Sequence, residues 1–398
     1  MIRSLIVVGG GQSAAVAIRT LRRRGYDGSV LLIGEEHVPP YQRPPLSKEY
    51  LAGEAEPGEL TLLDPGWCAA NDVELRLGVR AESVRGPEVR LAGGATLTAD
   101  ALLIATGGRP RRLPGLEGER VRYLRTVADA DRLRDDLKPG ARVIVVGAGF
   151  VGSEVASTAL ARGAEVTVLE CLPNPLQRIL GDEIGRACAA LQRASGVDLR
   201  TGVTVTGYAE TGQGAVVTTG TGETAEGDVV VVGAGMVPNT EALDGFALDD
   251  GVLVDEHCRT SVEGVYAAGD VARHYHPLYG RHVRVEHFDH ASAHGMAAAK
   301  NLLGRATPYT APHWFWSDQF DRNLQYAGHA DRWDEIVVRG SLDELDFAAF
   351  YLREGRLEAA FGMERGGEVA VARQLIAARV TPDPRVLADE DADLTDML

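Results

Sequence analysis

The sequence predicts an α/β protein with two Rossmann-type domains followed by a small C-terminal α+β domain. Two glycine-rich turns, beginning at Gly9 and Gly147, each stand between a short apolar strand and a helix. From residue 313 this pattern gives way to aromatic residues and to short strands separated by polar turns. A chain of 398 residues is also too long for one ordinary core, so more than one domain is expected.

The first turn has the G-x-G-x-x-A pattern of a dinucleotide-binding unit. Residues 5–8 predict a buried strand, and residues 13–24 predict the helix that follows. Gly9 makes the tight turn, Gly11 lets the backbone approach a pyrophosphate, and Ala14 keeps the helix close to the sheet. Because the pattern stands in its required strand–turn–helix context, it predicts a bound dinucleotide.

The second turn is a complete G-x-G-x-x-G formed by Gly147, Gly149 and Gly152. In both units an acid follows the next predicted strand, Glu35 in the first and Glu170 in the second. Such an acid accepts hydrogen bonds from ribose hydroxyls, so Glu170 favours NADH. NADPH stays open as the alternative, since an arginine lies close by in the sequence.

Composition excludes several classes of function. The net charge of −16 disfavours nucleic acid as the main partner. No run of 18 apolar residues predicts a transmembrane helix, and the N-terminal apolar stretch belongs to the first turn rather than to a signal peptide. We therefore expect no membrane and a cytoplasmic protein, and we expect the five acids within 389–398 to form a solvated tail.

No metal site is expected. The four cysteines do not form a C-x-x-C or C-x-x-x-x-C pair, so a metal site or a redox-active dithiol is disfavoured. His287, His290 and His294 recur at helical spacing, but no further ligand set accompanies them. We interpret them as histidines on a helix face near a cofactor.

Two other stretches suggest contact with a cofactor. Arg43 and Lys48 flank a pair of prolines and are placed to direct cations toward the Gly9 turn, although a solvated surface loop is the alternative. Asp270 follows a short strand with small residues at its end. It is suited to accept a hydrogen bond from a cofactor hydroxyl or, alternatively, to cap the next helix.

Together these stretches resemble the FAD-dependent, NADH-using ferredoxin reductases of oxygenase and cytochrome P450 systems, with the apoptosis-inducing-factor flavoproteins as a related group. The matching stretches span nearly the whole chain in the family's order, and PPLSK and WFWSDQ are far more specific than the glycine turns. They are VVGGGQSAA, YQRPPLSKEYLAGE, LLIATGGRPRRLPG, YLRTVADADRL, VIVVGAGFVGSEVA, VYAAGD, HWFWSDQF and the strands within 337–361.

The resemblance implies a glutathione-reductase-like fold. The FAD-binding domain would comprise residues 1–111 and 240–312, and the NADH-binding domain would comprise residues 112–239. Residues 313–398 would form the C-terminal α+β domain. We expect a monomer or a homodimer.

The resemblance further assigns site residues. Lys48, paired with Glu154 near the flavin N5, and Trp316 near the isoalloxazine would form the catalytic site. The FAD-binding residues would be Gly9, Gly11, Ser13, Glu35, Arg43, Lys48, Ala81, Arg125, Asp270 and Phe288. The NADH-binding residues would be Gly147, Gly149, Gly152 and Glu170.

The activity that the resemblance implies is electron transfer from NADH through FAD to a ferredoxin that serves an oxygenase or a cytochrome P450. Residues 286–290 depart from the oxygenase-reductase pattern and look more like the apoptosis-inducing-factor branch. That departure leaves two alternatives open: a flavin oxidase or dehydrogenase acting on a small organic substrate, and an NADH-sensing flavoprotein. Disulfide reductases and peroxidases are disfavoured because residues 41–48 contain no cysteine.

An acidic ferredoxin needs a local basic surface to dock on a protein of net charge −16. The densest basic stretches are residues 109–112 and 281–284, apart from the arginines that end the first helix. We predict docking at residues 281–284, because they lead into the flavin-bordering helix.

Overall fold

The computed structural model describes residues 2–398, and the chain divides into two compact units. The first contains the chain up to Arg43 together with Pro57–Arg109 and Met236–Ala311. The second contains Pro44–Glu56, Pro110–Gly235 and Pro312–Leu398. The finer division into three domains stays a prediction.

The strands are numbered in chain order. They are β1 (Ser4–Val8), β2 (Ser29–Gly34), β3 (Val73–Leu77), β4 (Ala81–Arg85), β5 (Glu88–Leu91), β6 (Thr96–Thr98), β7 (Ala101–Ile104), β8 (Gly108–Pro110), β9 (Val121–Arg122), β10 (Arg142–Val146), β11 (Glu165–Glu170), β12 (Asp198–Thr201), β13 (Val205–Thr211), β14 (Gly214–Thr219), β15 (Thr224–Gly227), β16 (Val229–Val232), β17 (Met236–Pro238), β18 (Val252–Val254), β19 (Val265–Ala267), β20 (Ala272–His276), β21 (Arg281–Arg284), β22 (Trp314–Gln319), β23 (Arg322–Gly328), β24 (Glu335–Ser341), β25 (Asp346–Arg353) and β26 (Arg356–Met363).

The helices are numbered in the same way. They are α1 (Gln12–Arg23), α2 (Glu49–Ala52), α3 (Pro65–Ala70), α4 (Val127–Asp136), α5 (Phe150–Ala161), α6 (Gln177–Ala194), α7 (Phe288–Leu302), α8 (Gly366–Ala378) and α9 (Pro384–Ala388). Short 3₁₀ turns occupy Pro44–Ser47, Pro57–Leu60 and Leu394–Met397. None of the helices within residues 2–398 has the length and apolarity needed to cross a membrane.

The first unit is centred on a parallel sheet of order β19-β7-β1-β2-β3. Its middle strands are continuous apolar runs, as expected for strands covered on both faces. Val7 lies beside Leu32 and Leu103, and all three are fully buried. Helix α1 packs closely against α7, because a Cβ added at Gly295 would lie 2.3 Å from the carbonyl oxygen of Ser13. This packing fixes the helix that begins at the first glycine turn.

The second unit contains two five-stranded sheets. The parallel sheet has the order β12-β11-β10-β16-β9, and the antiparallel sheet has the order β22-β23-β26-β25-β24. Helix α4 begins with a capping box in which Thr126 and Asp129 each accept the other's backbone N–H. The α/β fold class with a C-terminal α+β region is therefore present as predicted.

The acids of the C-terminal tail are exposed as predicted, but the backbone of the tail packs against the protein. Arg339 is only 7% exposed, and its guanidinium donates hydrogen bonds to the backbone carbonyls of Asp389, Glu390 and Ala392. Leu394 is also buried. The acids of the tail still face water, but a buried cation needs acceptors, and the tail backbone supplies them.

Candidate functional site

The first glycine turn accepts only glycine at its first position. Gly9 has a φ of +111°, and its N–H donates to the Ile33 carbonyl at 2.8 Å. A Cβ at Gly9 would lie 2.2 Å from the carbonyl oxygen of Ala105, on the neighbouring strand. The close approach of this carbonyl and the positive φ both exclude a side chain at position 9.

The space in front of this turn is open. Gly11 caps helix α1 without a side-chain hydrogen bond, and a Cβ added there would meet no atom within 4 Å. A helix N-terminus with exposed backbone N–H groups suits a pyrophosphate. Ser13 is buried and donates to the Ala268 carbonyl at 3.2 Å, so it also holds the turn against the end of β19.

Glu35 lies at the end of the second strand, where a ribose acceptor was predicted. Its side chain is 68% exposed, and the nearest cation is Arg80 at 3.4 Å. Both carboxylate oxygens are therefore accessible to a ligand. Its role in FAD binding stays a prediction.

Arg43 is a partly buried cation, which makes the solvated-loop alternative wrong. Its guanidinium forms an ion pair with Glu36 at 2.7 Å and stacks on the ring of Tyr41. Burial alone would lower the pKa of Arg43, but Tyr41, Glu36 and Asp270 together raise it. The structure thus brings the charges of Arg43 and Asp270 into the same neighbourhood, and the capping alternative for Asp270 is wrong because strand β20 follows it.

Three more predicted residues lie at the ends of elements or beside them. Ala81 begins strand β4, Phe288 begins helix α7, and Arg125 precedes the capping residue of α4. Ala81, Phe288 and Arg125 are all half-buried. Their contacts with FAD stay predictions.

The second glycine turn repeats the geometry of the first. Gly147 has a φ of +101°, and a Cβ added there would lie 2.6 Å from the carbonyl oxygen of Gly233. A Cβ at Gly152 would lie 2.1 Å from the Gly147 carbonyl oxygen, so α5 can pack closely on the turn. Gly149 faces open space, as Gly11 does.

Glu170 differs from Glu35 in its surroundings. It is 7% exposed, and its two oxygens accept backbone N–H groups from Ala148 at 2.7 Å and from Leu172 at 2.8 Å. These bonds fix the carboxylate directly behind the second glycine turn. A fixed anion at this position would repel a 2′-phosphate.

Lys48 and Glu154 form a buried ion pair. Lys48 Nζ lies 2.9 Å from Glu154 Oε1, and the two side chains are 12% and 7% exposed. Glu154 lies on α5, one turn after the second glycine turn, whereas Lys48 caps α2. The predicted pair is thus present, while its place beside a flavin stays a prediction.

The structure adds two serines that sequence reasoning missed. Ser47 donates to Glu154 Oε2 at 2.5 Å, and Ser317 donates to Glu154 Oε1 at 2.6 Å. Both serines lie inside PPLSK and WFWSDQ, the two stretches most specific to the family, and that was the available indication. Trp316, the neighbour of Ser317, is half-buried and stacks on Trp314 at a ring distance of 5.4 Å.

His290 and His294 lie on the buried face of helix α7, as part of a cluster of aromatic rings. The rings of His274, His290 and His294 and of Tyr309 stack or tilt against each other at 4.8–5.5 Å. One nitrogen from each of the three histidines lies within 4.8 Å of the others. However, Gly269 N–H donates to His294 Nδ1 at 3.2 Å, so a neutral His294 carries its proton on Nε2. That tautomer disfavours a metal bond there, and the absence of a metal site stays a prediction.

Arginines of both basic stretches form ion pairs with acidic residues, which reduces the positive charge available for docking. Arg284 is 12% exposed and forms ion pairs with both Asp250 and Glu286. Arg109 likewise forms an ion pair with Glu241. Arg284 therefore does not support the docking prediction for residues 281–284.

The two glycine turns fit the predicted cofactors. Each offers an open space in front of a helix N-terminus and an acid at the end of the adjacent strand, which is what an ADP group requires. The donor set thus agrees with two dinucleotides, FAD and NADH.

Comparison with known proteins gives the family. Residues 3–295 match the pyridine nucleotide-disulphide oxidoreductase model, and residues 314–398 match the reductase C-terminal model. The chain is 35% identical to putidaredoxin reductase of Pseudomonas putida, covering 99% of this chain and 96% of that protein. It is 39% identical to the ferredoxin–NAD(+) reductase component of the anthranilate 1,2-dioxygenase system of Burkholderia cepacia, covering 99% of this chain and 98% of that protein.

A solved structure gives the same result. The covalent putidaredoxin reductase–putidaredoxin complex contains a chain with a TM-score of 0.95 and 35% identity, covering 99% of this chain and 98% of that one. The predicted fold class, the oxidoreductase activity and the cofactors FAD and NADH are thereby confirmed. The chain belongs to the pyridine nucleotide-disulphide oxidoreductase family and carries its reductase C-terminal domain.

Proposed function

We propose that this protein transfers electrons from NADH, through bound FAD, to a ferredoxin that serves an oxygenase or a cytochrome P450. The observation that carries the proposal is end-to-end similarity to putidaredoxin reductase and to the reductase component of a dioxygenase system, whose names refer to putidaredoxin and to a ferredoxin. Bound FAD would supply the redox chemistry, because a flavin takes two electrons from a nicotinamide and passes them on singly.

The protein's own residues would bind and orient the two cofactors. Gly9 and Gly11 would hold the FAD pyrophosphate in the first unit, and Glu35 would accept from its ribose. Gly147 and Gly149 would hold NADH in the same manner. Ser13, Arg43, Ala81, Arg125, Asp270 and Phe288 would line the FAD site, and Gly152 and Glu170 would complete the NADH site.

Lys48, Glu154 and Trp316 would act at the flavin ring. Lys48 brings a cation that is only 12% exposed, so water screens its charge weakly. Glu154 fixes the position of the Lys48 ammonium group, because its Oε1 lies 2.9 Å from Lys48 Nζ. Trp316 offers a flat aromatic ring and directly precedes Ser317, which donates to Glu154. No proton donor or nucleophile is required from the protein.

The thiols support an external electron acceptor rather than a disulfide. All four cysteines are unpaired, and burial raises the pKa of each thiol, that of Cys188 to about 12. A thiol of raised pKa is a poor nucleophile at neutral pH. The raised thiol pKa values therefore disfavour disulfide chemistry at these cysteines.

Unpaired cysteines also agree with a reducing compartment. A cytoplasmic location is part of the proposal. Fractionation of the native host, with the protein followed by antibody, would test it.

The histidines weaken the alternative of a small organic substrate. That alternative was motivated by His287 and His290, but His290 is fully buried against Tyr309. A side chain without exposed surface does not contact a diffusible substrate. His287 remains half-buried at the start of α7.

Turnover with defined acceptors tests the function. The FAD-loaded protein is mixed with NADH and a panel of [2Fe–2S] ferredoxins, and ferredoxin reduction is followed by absorbance. We expect rapid, NADH-dependent reduction, with at least about a tenfold preference for NADH over NADPH on the basis of Glu170. Turnover only with organic compounds, or a long-lived reduced complex without a fast acceptor, would replace this proposal with one of the two alternatives.

A further inference from the structure

We propose that Ser317, together with Ser47, is a positioning residue for the Lys48–Glu154 pair. This inference rests on the proposed function, since it assumes that the pair acts at the flavin. It assigns a role to the WFWSDQ strand beyond packing.

The Glu154 carboxylate interacts with three donors. Oε1 accepts from Ser317 Oγ at 2.6 Å and from Lys48 Nζ at 2.9 Å, while Oε2 accepts from Ser47 Oγ at 2.5 Å. Hydrogen bonds to a charged acceptor are the strong ones. Each oxygen therefore has at least one hydroxyl donor, which leaves the carboxylate a single favoured orientation.

Burial prevents water from replacing a lost hydroxyl. Glu154 is 6% exposed, Ser47 is 5% exposed and Ser317 is 1% exposed. Removing one donor would leave a buried anion short of a hydrogen bond. The carboxylate would then draw more strongly on the remaining cation, Lys48.

Ser317 is itself fixed. Gln319 Nε2 donates to Ser317 Oγ at 2.8 Å and occupies one of the two lone pairs of that oxygen, while the Ser317 hydroxyl donates its proton to Glu154. Backbone pairing of β22 with β23 places Ser317 opposite Leu324. The Ser317 hydroxyl is thus positioned by the β22–β23 pairing and by Gln319.

A second bond from the same strand end offers a matched control. The Phe320 N–H donates to Ser157 Oγ at 2.7 Å, so the end of β22 is tied to the helix that carries Glu154. Ser157 does not bond Glu154. Ser157→Ala removes one hydroxyl from this contact without removing a donor of the carboxylate.

Ser317→Ala in the FAD-loaded protein is the test. We expect the rate of flavin reduction by NADH, measured by stopped flow, to fall about fivefold to tenfold with an unchanged Kd for NADH. We also expect a lower flavin midpoint potential, because Glu154 would hold the Lys48 charge more tightly and less of its field would reach the flavin. Ser47→Ala should change the rate and potential in the same direction.

The controls separate positioning from packing. Ser157→Ala should leave both the potential and the rate within about twofold of the wild type. Ser317→Thr, which keeps the hydroxyl, should restore the potential. In a Glu154→Gln background, Ser317→Ala should add little, since the charged acceptor is gone.

The two proposals fail in different ways. If Lys48→Met leaves flavin reduction unchanged, the role of the pair at the flavin is wrong. If Lys48→Met slows it but Ser317→Ala and Ser47→Ala do not change the midpoint potential, only the positioning role is overturned. Equal effects of Ser317→Ala and Ser157→Ala would also overturn it, because packing alone would explain both.

Discussion

The two glycine turns share a backbone but differ in the acid that accompanies each. In both, the first glycine has a positive φ and stands against a neighbouring strand, and the second faces open space. Glu35 is 68% exposed, whereas Glu170 is buried and bonded to two backbone amides. At the same position of the motif, the carboxylate is thus accessible to a ligand in the first unit and is bonded to the protein backbone in the second.

A residue of the dinucleotide-binding motif can therefore have a structural role and a ligand-binding role at the same time. Glu170 satisfies N–H groups of the Gly147 turn and of the loop after β11, so nucleotide choice and local stability depend on one carboxylate. Glu35 carries no comparable structural duty. We therefore expect substitution of Glu35 to affect ligand binding alone, and substitution of Glu170 to affect both ligand binding and stability.

The largest expected effect concerns glycines within one turn. Gly9→Ala should lower the free energy of unfolding by about 3 kcal/mol, because its φ is unfavourable and its Cβ would collide with the Ala105 carbonyl. Gly11→Ala should leave stability within about 0.5 kcal/mol, yet weaken FAD binding by filling the open space. Urea unfolding and FAD fluorescence titration measure the two quantities.

The second unit provides the matched pair for this test. Gly147→Ala should behave like Gly9→Ala, and Gly149→Ala should behave like Gly11→Ala but weaken NADH rather than FAD. Equal destabilisation by both substitutions within a turn would show that the steric distinction is wrong.

Acid should affect the two glycine turns differently, because residues 110–235, which contain the second turn, have no histidine. In the first unit, burial, with a smaller effect from His276, lowers the pKa of His294 to about 3. The unfolded chain therefore takes up this proton first as the pH falls below 6.5. The stability that depends on neutral His294 is present above pH 6.5 and is lost progressively toward pH 3.

We expect the free energy of unfolding to fall by about 2 kcal/mol between pH 6.5 and pH 5 through this group alone. FAD should be released over the same range, since His294 holds the Gly269–Asp270 turn. His294→Asn keeps an acceptor without the titration and should flatten the pH dependence, as measured by urea unfolding at each pH. A variant with the wild-type slope would assign the acid sensitivity to another group.

Sequence patterns predicted those elements whose structure depends on residues close together in the chain. The strands and helices around both glycine turns follow from apolar runs and turn chemistry. The bonds from Ser47 and Ser317 to Glu154 did not follow, because they join residues 107 and 163 positions apart. The packing of the tail depends likewise on Arg339, about 50 positions earlier. Helix α6 was also missed, and it contains a non-helical Gly181 that interrupts its periodicity.

A direct test of the two acids includes the smallest expected effect, that of Glu35→Gln. Glu170→Gln should lower the free energy of unfolding by about 1–3 kcal/mol. The amide NH₂ of glutamine is a hydrogen-bond donor, so one of the two backbone N–H groups that now bond Glu170 would lose its acceptor. It should also narrow the preference for NADH over NADPH, since the anion that repels a 2′-phosphate is gone. Glu35→Gln should change stability by less than about 0.5 kcal/mol, because its carboxylate is exposed and its contact with Arg80 is weak. Urea unfolding of both variants, with NADH and NADPH kinetics for the first, makes the comparison. If Glu35→Gln destabilises the protein as much as Glu170→Gln does, the two acids carry the same structural task and the contrast between the turns does not hold.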